Sequence, residues 1–104
     1  MRSNRKIDSR ATRKFKPATY LVRGGTNRSE FSETNESLFL SSGFVYDSAE
    51  QAQRAFQGEE DRFIYSRFSN PTVEMFEKRM ALLENAEACR SAATGMAAVY
   101  ATLA

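Results

Sequence analysis

The stretch YSRFSNPTVEMFEKRMALLEN, residues 65–85, decides the reading of this chain. Asn70 is a strong N-cap, because its side-chain oxygen can accept from the exposed amides of a helix's first turn. Pro71 suits the first helical position, where no intrahelical N–H is required and φ is already near its helical value. Glu74 in the first turn complements the positive end of the helix dipole. Val73, Phe76, Met80 and Leu83 then recur at helical spacing and share one face. Met75 and Leu82 lie about 100° to the side, as 3.6 residues per turn requires, and widen the apolar surface. Lys78 points away and can pair with Glu74 at i, i+4. Asn85 is placed to stop the helix.

Toward the C-terminus, residues 87–92 are too short for a helix before Thr94-Gly95 and predict a short buried strand. Met96 to Leu103 predicts a second helix, rich in Ala for close packing. Helix, strand, glycine turn and helix predict the opening of an α/β unit. The run into Ala104 without a cap or further strand reads as the N-terminal segment of something longer. Toward the N-terminus, Ser48-Ala49-Glu50-Gln51 predicts a helix start of the capping-box type. Ala52, Ala55 and Phe56 follow on one face, and Gly58 is placed to end the helix. Glu59-Glu60-Asp61 reads as a solvated turn, and Phe63-Ile64-Tyr65 as a short strand or extended segment.

Residues 1–47 predict an extended arm. Gly24-Gly25-Thr26-Asn27 and Ser32 to Ser37 read as loops. Tyr20-Leu21-Val22 and Leu38-Phe39-Leu40 have too short a period to specify helices. Such an arm needs a surface to lie on.

Composition excludes more chemistry than it suggests. The 104 residues contain no His, so histidine acid–base catalysis, Ser-His-Asp triads and His-ligated metals are absent. Cys89 stands alone, too few for a cysteine zinc site and unable to form an internal disulfide. No metal site is therefore expected. No apolar run approaches the roughly 18 residues of a membrane span, and the first thirty residues lack the apolar core of a secretory signal. These features point to a cytoplasmic protein with no membrane partner. Residues 1–28 carry nine Lys or Arg against Asp8 alone, whereas the remainder carries six basic residues against twelve acidic. A basic arm of this kind suits a solvated leader, an acidic docking surface or a nucleic-acid-binding module. An organelle transit peptide would need more apolar residues to build an amphipathic face. No aromatic interleaving accompanies the charges, so no nucleic-acid partner is expected.

Two places could carry chemistry. Ala92-Ala93-Thr94-Gly95-Met96 joins the predicted strand to a helix N-terminus, whose unpaired amides and dipole welcome an anion. A small-residue turn there is also an ordinary structural connection, and the glycines of a P-loop or dinucleotide fingerprint are lacking. In Tyr65-Ser66-Arg67 a guanidinium fork and a phenol stand near one another, suited to a phosphate dianion. An arginine satisfying loop carbonyls is the plain alternative.

Taken together, Tyr65-Ser66-Arg67-Phe68-Ser69-Asn70-Pro71-Thr72 and Thr94-Gly95-Met96-Ala97-Ala98 resemble one family. It is the Cys/Met-metabolism family of pyridoxal-phosphate enzymes, in which a Tyr-Ser-Arg-x-x-Asn-Pro-Thr stretch precedes a Ser-Gly-Met turn by the spacing seen from Arg67 to Gly95. Ser41 to Tyr46 and Ser48 to Ala52 also resemble it, so the likeness covers residues 18–104. Thr94 stands where Ser is commoner and keeps the hydroxyl.

The resemblance implies an α/β fold of the aspartate aminotransferase-like type. Residues 1–60 would form an arm with one short helix, and 61–104 the start of the cofactor-binding large domain. It implies pyridoxal 5′-phosphate held by backbone amides of Gly95 and Met96, with Tyr65 and Arg67 contributed in trans by a neighbouring subunit of a homodimer or homotetramer. No catalytic residue is implied within the chain, because the family's Schiff-base lysine, pyridine-pairing Asp and ring-stacking Tyr have no counterparts here. Lys6, Lys14 and Lys16 lie in the charged leader and Lys78 on a polar helix face. Within the family, residues 34–46 look most like the O-succinylhomoserine sulfhydrylase branch. That branch uses a homoserine ester with sulfide, in methionine biosynthesis. Cystathionine γ-synthases and γ-lyases, whose chemistry involves cysteine, and methionine γ-lyases are the alternatives. A non-catalytic truncated product is another.

Overall fold

Four helices, joined by long extended connections, make up the computed structural model, which describes residues 15–104. They are α1 (Pro17–Arg23), α2 (Ala49–Phe56), α3 (Pro71–Leu83) and α4 (Gly95–Leu103). Most of the basic leader, residues 1–14 with Lys6 and Lys14, lies outside the described residues, and so does its role.

The cap signals place three of these helices. Ser48 Oγ accepts from Gln51 N at 3.1 Å at the start of α2. Gln51 reaches back as expected, but to the amide of Asp47 at 2.7 Å, one residue earlier than a capping box requires. Gly58, at φ +78°, takes the left-handed turn that ends the helix. Asn70 Oδ1 accepts from Thr72 N at 2.9 Å, and Pro71 occupies the first turn of α3. Asn85, at φ 51°, follows the end of that helix, and the Glu74–Lys78 pair closes at 2.9 Å. Thr94 Oγ1 accepts from Ala97 N at 3.0 Å to cap α4.

Three sequence expectations are corrected. Tyr20-Leu21-Val22 lies within α1, so two helices, not one, precede residue 60. Pro17 at the N-terminal turn of α1 and the packing of α1 on α3 stabilise a segment too short for periodicity to reveal. Residues 87–92 form no strand; instead Glu77 on α3 accepts from Ser91 N at 2.9 Å and from Ser91 Oγ at 3.1 Å. The single β-bridge among the described residues joins Gly43 and Tyr65. On α3 the buried row is Pro71 and Met75, continued by the half-buried Arg79, while Val73 and Phe76 of the expected core face are exposed.

The surface on which the arm lies is its own chain. Residues 39–45 run antiparallel to residues 62–72. Gly43 bridges Tyr65, Ser66 N donates to Ser42 O at 2.8 Å, and Arg62 Nη2 donates to Val45 O at 2.7 Å. Further back, Arg79 pairs with Glu36, and its Nε donates to Gly24 O at 2.9 Å. Gly25 sits at φ +69° where a Cβ would lie 2.9 Å from Lys78 Cβ, so only glycine lets the arm come this close to α3. Among the described residues Ala55, Phe63, Pro71 and Met75 are buried, and the Phe44 and Phe63 rings lie 5.8 Å apart.

Candidate cofactor-phosphate site

A polar clasp fixes the Tyr65–Thr72 motif before any ligand is considered. Asn70 is buried, and its Nδ2 donates to Phe39 O at 2.9 Å and to Ser66 Oγ at 3.0 Å. Ser66 Oγ in turn donates to Ser41 O at 2.5 Å. Thr72 Oγ1 accepts from Phe39 N at 2.9 Å and donates to Ser37 O at 3.2 Å. One asparagine thus caps α3 and ties both the arm and the loop before the helix to its first turn. Sequence reasoning saw only the cap. The hydroxyl and amide residues of the motif were the available signal, since such side chains bond to nearby backbone.

Ser66 is turned toward the arm, while Tyr65 and Arg67 remain exposed. Phe68 N and Ser69 N both donate to Tyr65 O, at 2.9 and 3.1 Å, closing a tight turn around Arg67. The Arg67 guanidinium carbon lies 5.5 Å from the Tyr65 ring centroid and 6.0 Å from that of Phe68.

Arg67 differs from every other arginine of the described residues. Arg23, Arg28 and Arg62 donate to backbone carbonyls. Arg54, Arg79 and Arg90 pair with Glu60, Glu36 and Glu77. Among the described residues Arg67 has neither a hydrogen bond nor an ion pair, and the Tyr65 phenol has no hydrogen bond. Among the described residues no loop carbonyl accepts from Arg67.

Gly95 and Met96 form the first turn of α4. Thr94 supplies acceptors to Ala97 N through its hydroxyl and to Ala98 N through its carbonyl. The amides of Gly95 and Met96 are left without a partner among the described residues. The Thr94 hydroxyl, by contrast, is engaged as a cap. A groove of about 700 Å³ between α3 and residues 87–91 is lined by Arg67 but not by Tyr65, Gly95 or Met96. The structure brings Tyr65 and Arg67 together, and the groove that Arg67 lines includes neither Gly95 nor Met96. Among the described residues no group of His, Cys, Asp or Glu could hold a metal, and no helix is long and apolar enough to cross a membrane.

The donor set suits a phosphate: one guanidinium, one phenol and two helix N-terminal amides, none bonded among the described residues. Apart from its chain neighbours and its own helix backbone, a Cβ at Gly95 would meet no atom of the described residues within 4 Å. Residues 18–104 match the family of Cys/Met metabolism PLP-dependent enzymes, and the chain belongs to that family. Its relatives include an O-succinylhomoserine sulfhydrylase of Mycobacterium tuberculosis, 52% identical over 86 residues, which are 83% of this chain and 21% of that protein. A protein of the same name from Pseudomonas aeruginosa is 43% identical over 83 residues, 80% of this chain and 21% of its own length. An L-methionine gamma-lyase of Porphyromonas gingivalis is 38% identical over 86 residues, 83% and 22% of the two chains. The chain thus spans about a fifth of the length of the curated relatives it matches.

Proposed function

We propose that this chain supplies the phosphate-gripping elements of a pyridoxal-phosphate enzyme that replaces the succinyl group of O-succinylhomoserine with sulfide, giving homocysteine and succinate. The unpartnered Arg67 is the observation that carries this reading. A cation that every neighbouring carboxylate passes over is available to a dianion, and its planar fork can meet two phosphate oxygens at once. Gly95 and Met96 add two amides at the positive end of α4. On this reading Tyr65 and Arg67 act in trans on a phosphate cradled by the partner's glycine turn, which the groove lined by Arg67 does not include. The assembly is a homodimer or homotetramer, in the cytoplasm, with neither nucleic acid nor membrane as partner.

Pyridoxal phosphate, when bound, supplies the electron sink that lets the γ-substituent depart. This chain's residues bind and orient it. None of its described lysines suits a covalent role. Lys16 is exposed and Lys78 is tied to Glu74, whereas a nucleophilic lysine must be desolvated or charge-perturbed. On this reading residues 1–60 are the arm, and 61–104 open the α/β large domain. The higher identity to the two sulfhydrylases than to the Porphyromonas methionine gamma-lyase favours the sulfhydrylase reading over the lyase one.

Replacing Arg67 by Ala tests the grip. Hydrogen bonds to charged groups are worth roughly 1.5–3 kcal/mol, so affinity for pyridoxal phosphate should fall about ten- to a hundred-fold. Binding should weaken without vanishing, because the Gly95 and Met96 amides remain. An unchanged dissociation constant in fluorescence titration would remove Arg67 from the site.

A further inference from the structure

We propose that Phe68 is a positioning residue for Arg67, its ring holding the guanidinium beside Tyr65 with the N–H edge free to meet the cofactor phosphate. This rests on the reading of Arg67 given above. The guanidinium carbon stands 5.5 Å from one ring centroid and 6.0 Å from the other, and the two rings meet edge to face with centroids 6.2 Å apart. Stacking engages the flat face of a guanidinium and leaves its in-plane N–H donors available. An ion pair would have consumed those donors. The Tyr65–Ser69 turn fixes the backbone on which all three side chains stand.

Phe68 has no part in the core. It is 75% exposed, so its place in the sequence is not explained by burial. A free arginine loses rotamer freedom when it clamps a ligand, and a side chain already resting beside two rings has less to lose. Phe68 would therefore act on phosphate affinity alone, through Arg67.

The test uses the assembled, cofactor-free protein, titrated with pyridoxal phosphate and separately with pyridoxal, which lacks the phosphate. Phe68→Leu keeps bulk and removes the π-face. It should weaken pyridoxal phosphate binding about two- to five-fold, the size of an exposed cation–π contact, and leave pyridoxal binding as in the parent protein. Phe68→Tyr should restore the parent value. If Phe68→Leu leaves both affinities unchanged while Arg67→Ala weakens the first, Phe68 has no positioning role and the Arg67 reading stands. Equal loss for both ligands would mean a structural role and also overturn the proposal. If Arg67→Ala itself has no effect, the underlying reading falls and the proposal with it.

Discussion

Glu33 is engaged entirely within its own loop. Its carboxylate accepts from Ser29 Oγ at 2.6 Å and Ser29 N at 2.8 Å, while its carbonyl accepts from Arg28 Nε at 3.0 Å. The Ser29 hydroxyl, then the Ser29 amide, hold its pKa at about 2 against an ordinary 4.5. A depressed carboxylate stabilises the loop above its ordinary value and loses that contribution as pH falls from 4.5 toward 2. Ser29→Ala removes the larger cause, so the Glu33 midpoint, followed by carboxyl-carbon NMR shifts, should rise toward 4.5. A midpoint still at about 2 would contradict the assignment. Arg67 is the opposite case, a charge left unanswered among the described residues. Its residue type and motif were legible in the sequence, as were those of Tyr65, Gly95 and Met96. That Arg67 alone among the described arginines stays unpaired was not, because pairing depends on which carboxylates the fold brings near.

The first turn of α3 is where arm, loop and helix are joined. Asn70→Ala would lose the cap, worth about 1 kcal/mol, and two donors whose loss costs roughly 0.5–1.5 kcal/mol each. Hydrogen-exchange protection should drop together in the first turn of α3 and in the Phe39–Gly43 stretch. Asn70→Asp keeps an acceptor for Thr72 N but not the donors, so it should free the arm while sparing the helix start. Equal protection of the arm in Asn70→Asp and the parent would show that the clasp does not hold it. The starts of α2 and α3 were legible because Ser48 and Asn70 act locally, whereas α4 was expected from Met96, one residue after its start at Gly95. α1 was not legible, although Pro17 was a usable sign, since its seven residues depend on contact with α3. The expected strand over 87–92 fails for a similar reason: ladder formation needs a neighbour, and among the described residues Glu77 claims that segment instead.

At the scale of the whole molecule the chain is open. Its radius of gyration is 15.2 Å, against about 13 Å for a compact domain of this length. Leu40, Val45, Phe31 and Leu103 are each at least 80% exposed, a display of apolar surface that soluble monomers rarely sustain. On the proposed reading, an assembly of subunits would bring the Arg67 of one chain to the Gly95 turn of another. Gly95→Pro removes one amide donor at a first-turn position that tolerates proline. Thr94, at φ −142° and ψ 159°, already has the extended backbone that a following proline demands. The decisive measurement is cofactor titration of hybrid dimers, purified on two different tags, that pair one Arg67→Ala subunit with one Gly95→Pro subunit. If the grip is made in trans, one site of each hybrid carries both lesions and the other carries neither. Half the sites should then bind pyridoxal phosphate with the affinity of the parent protein. A hybrid in which every site is weakened, and none binds like the parent, would show that Arg67 and Gly95 serve the same site from one chain.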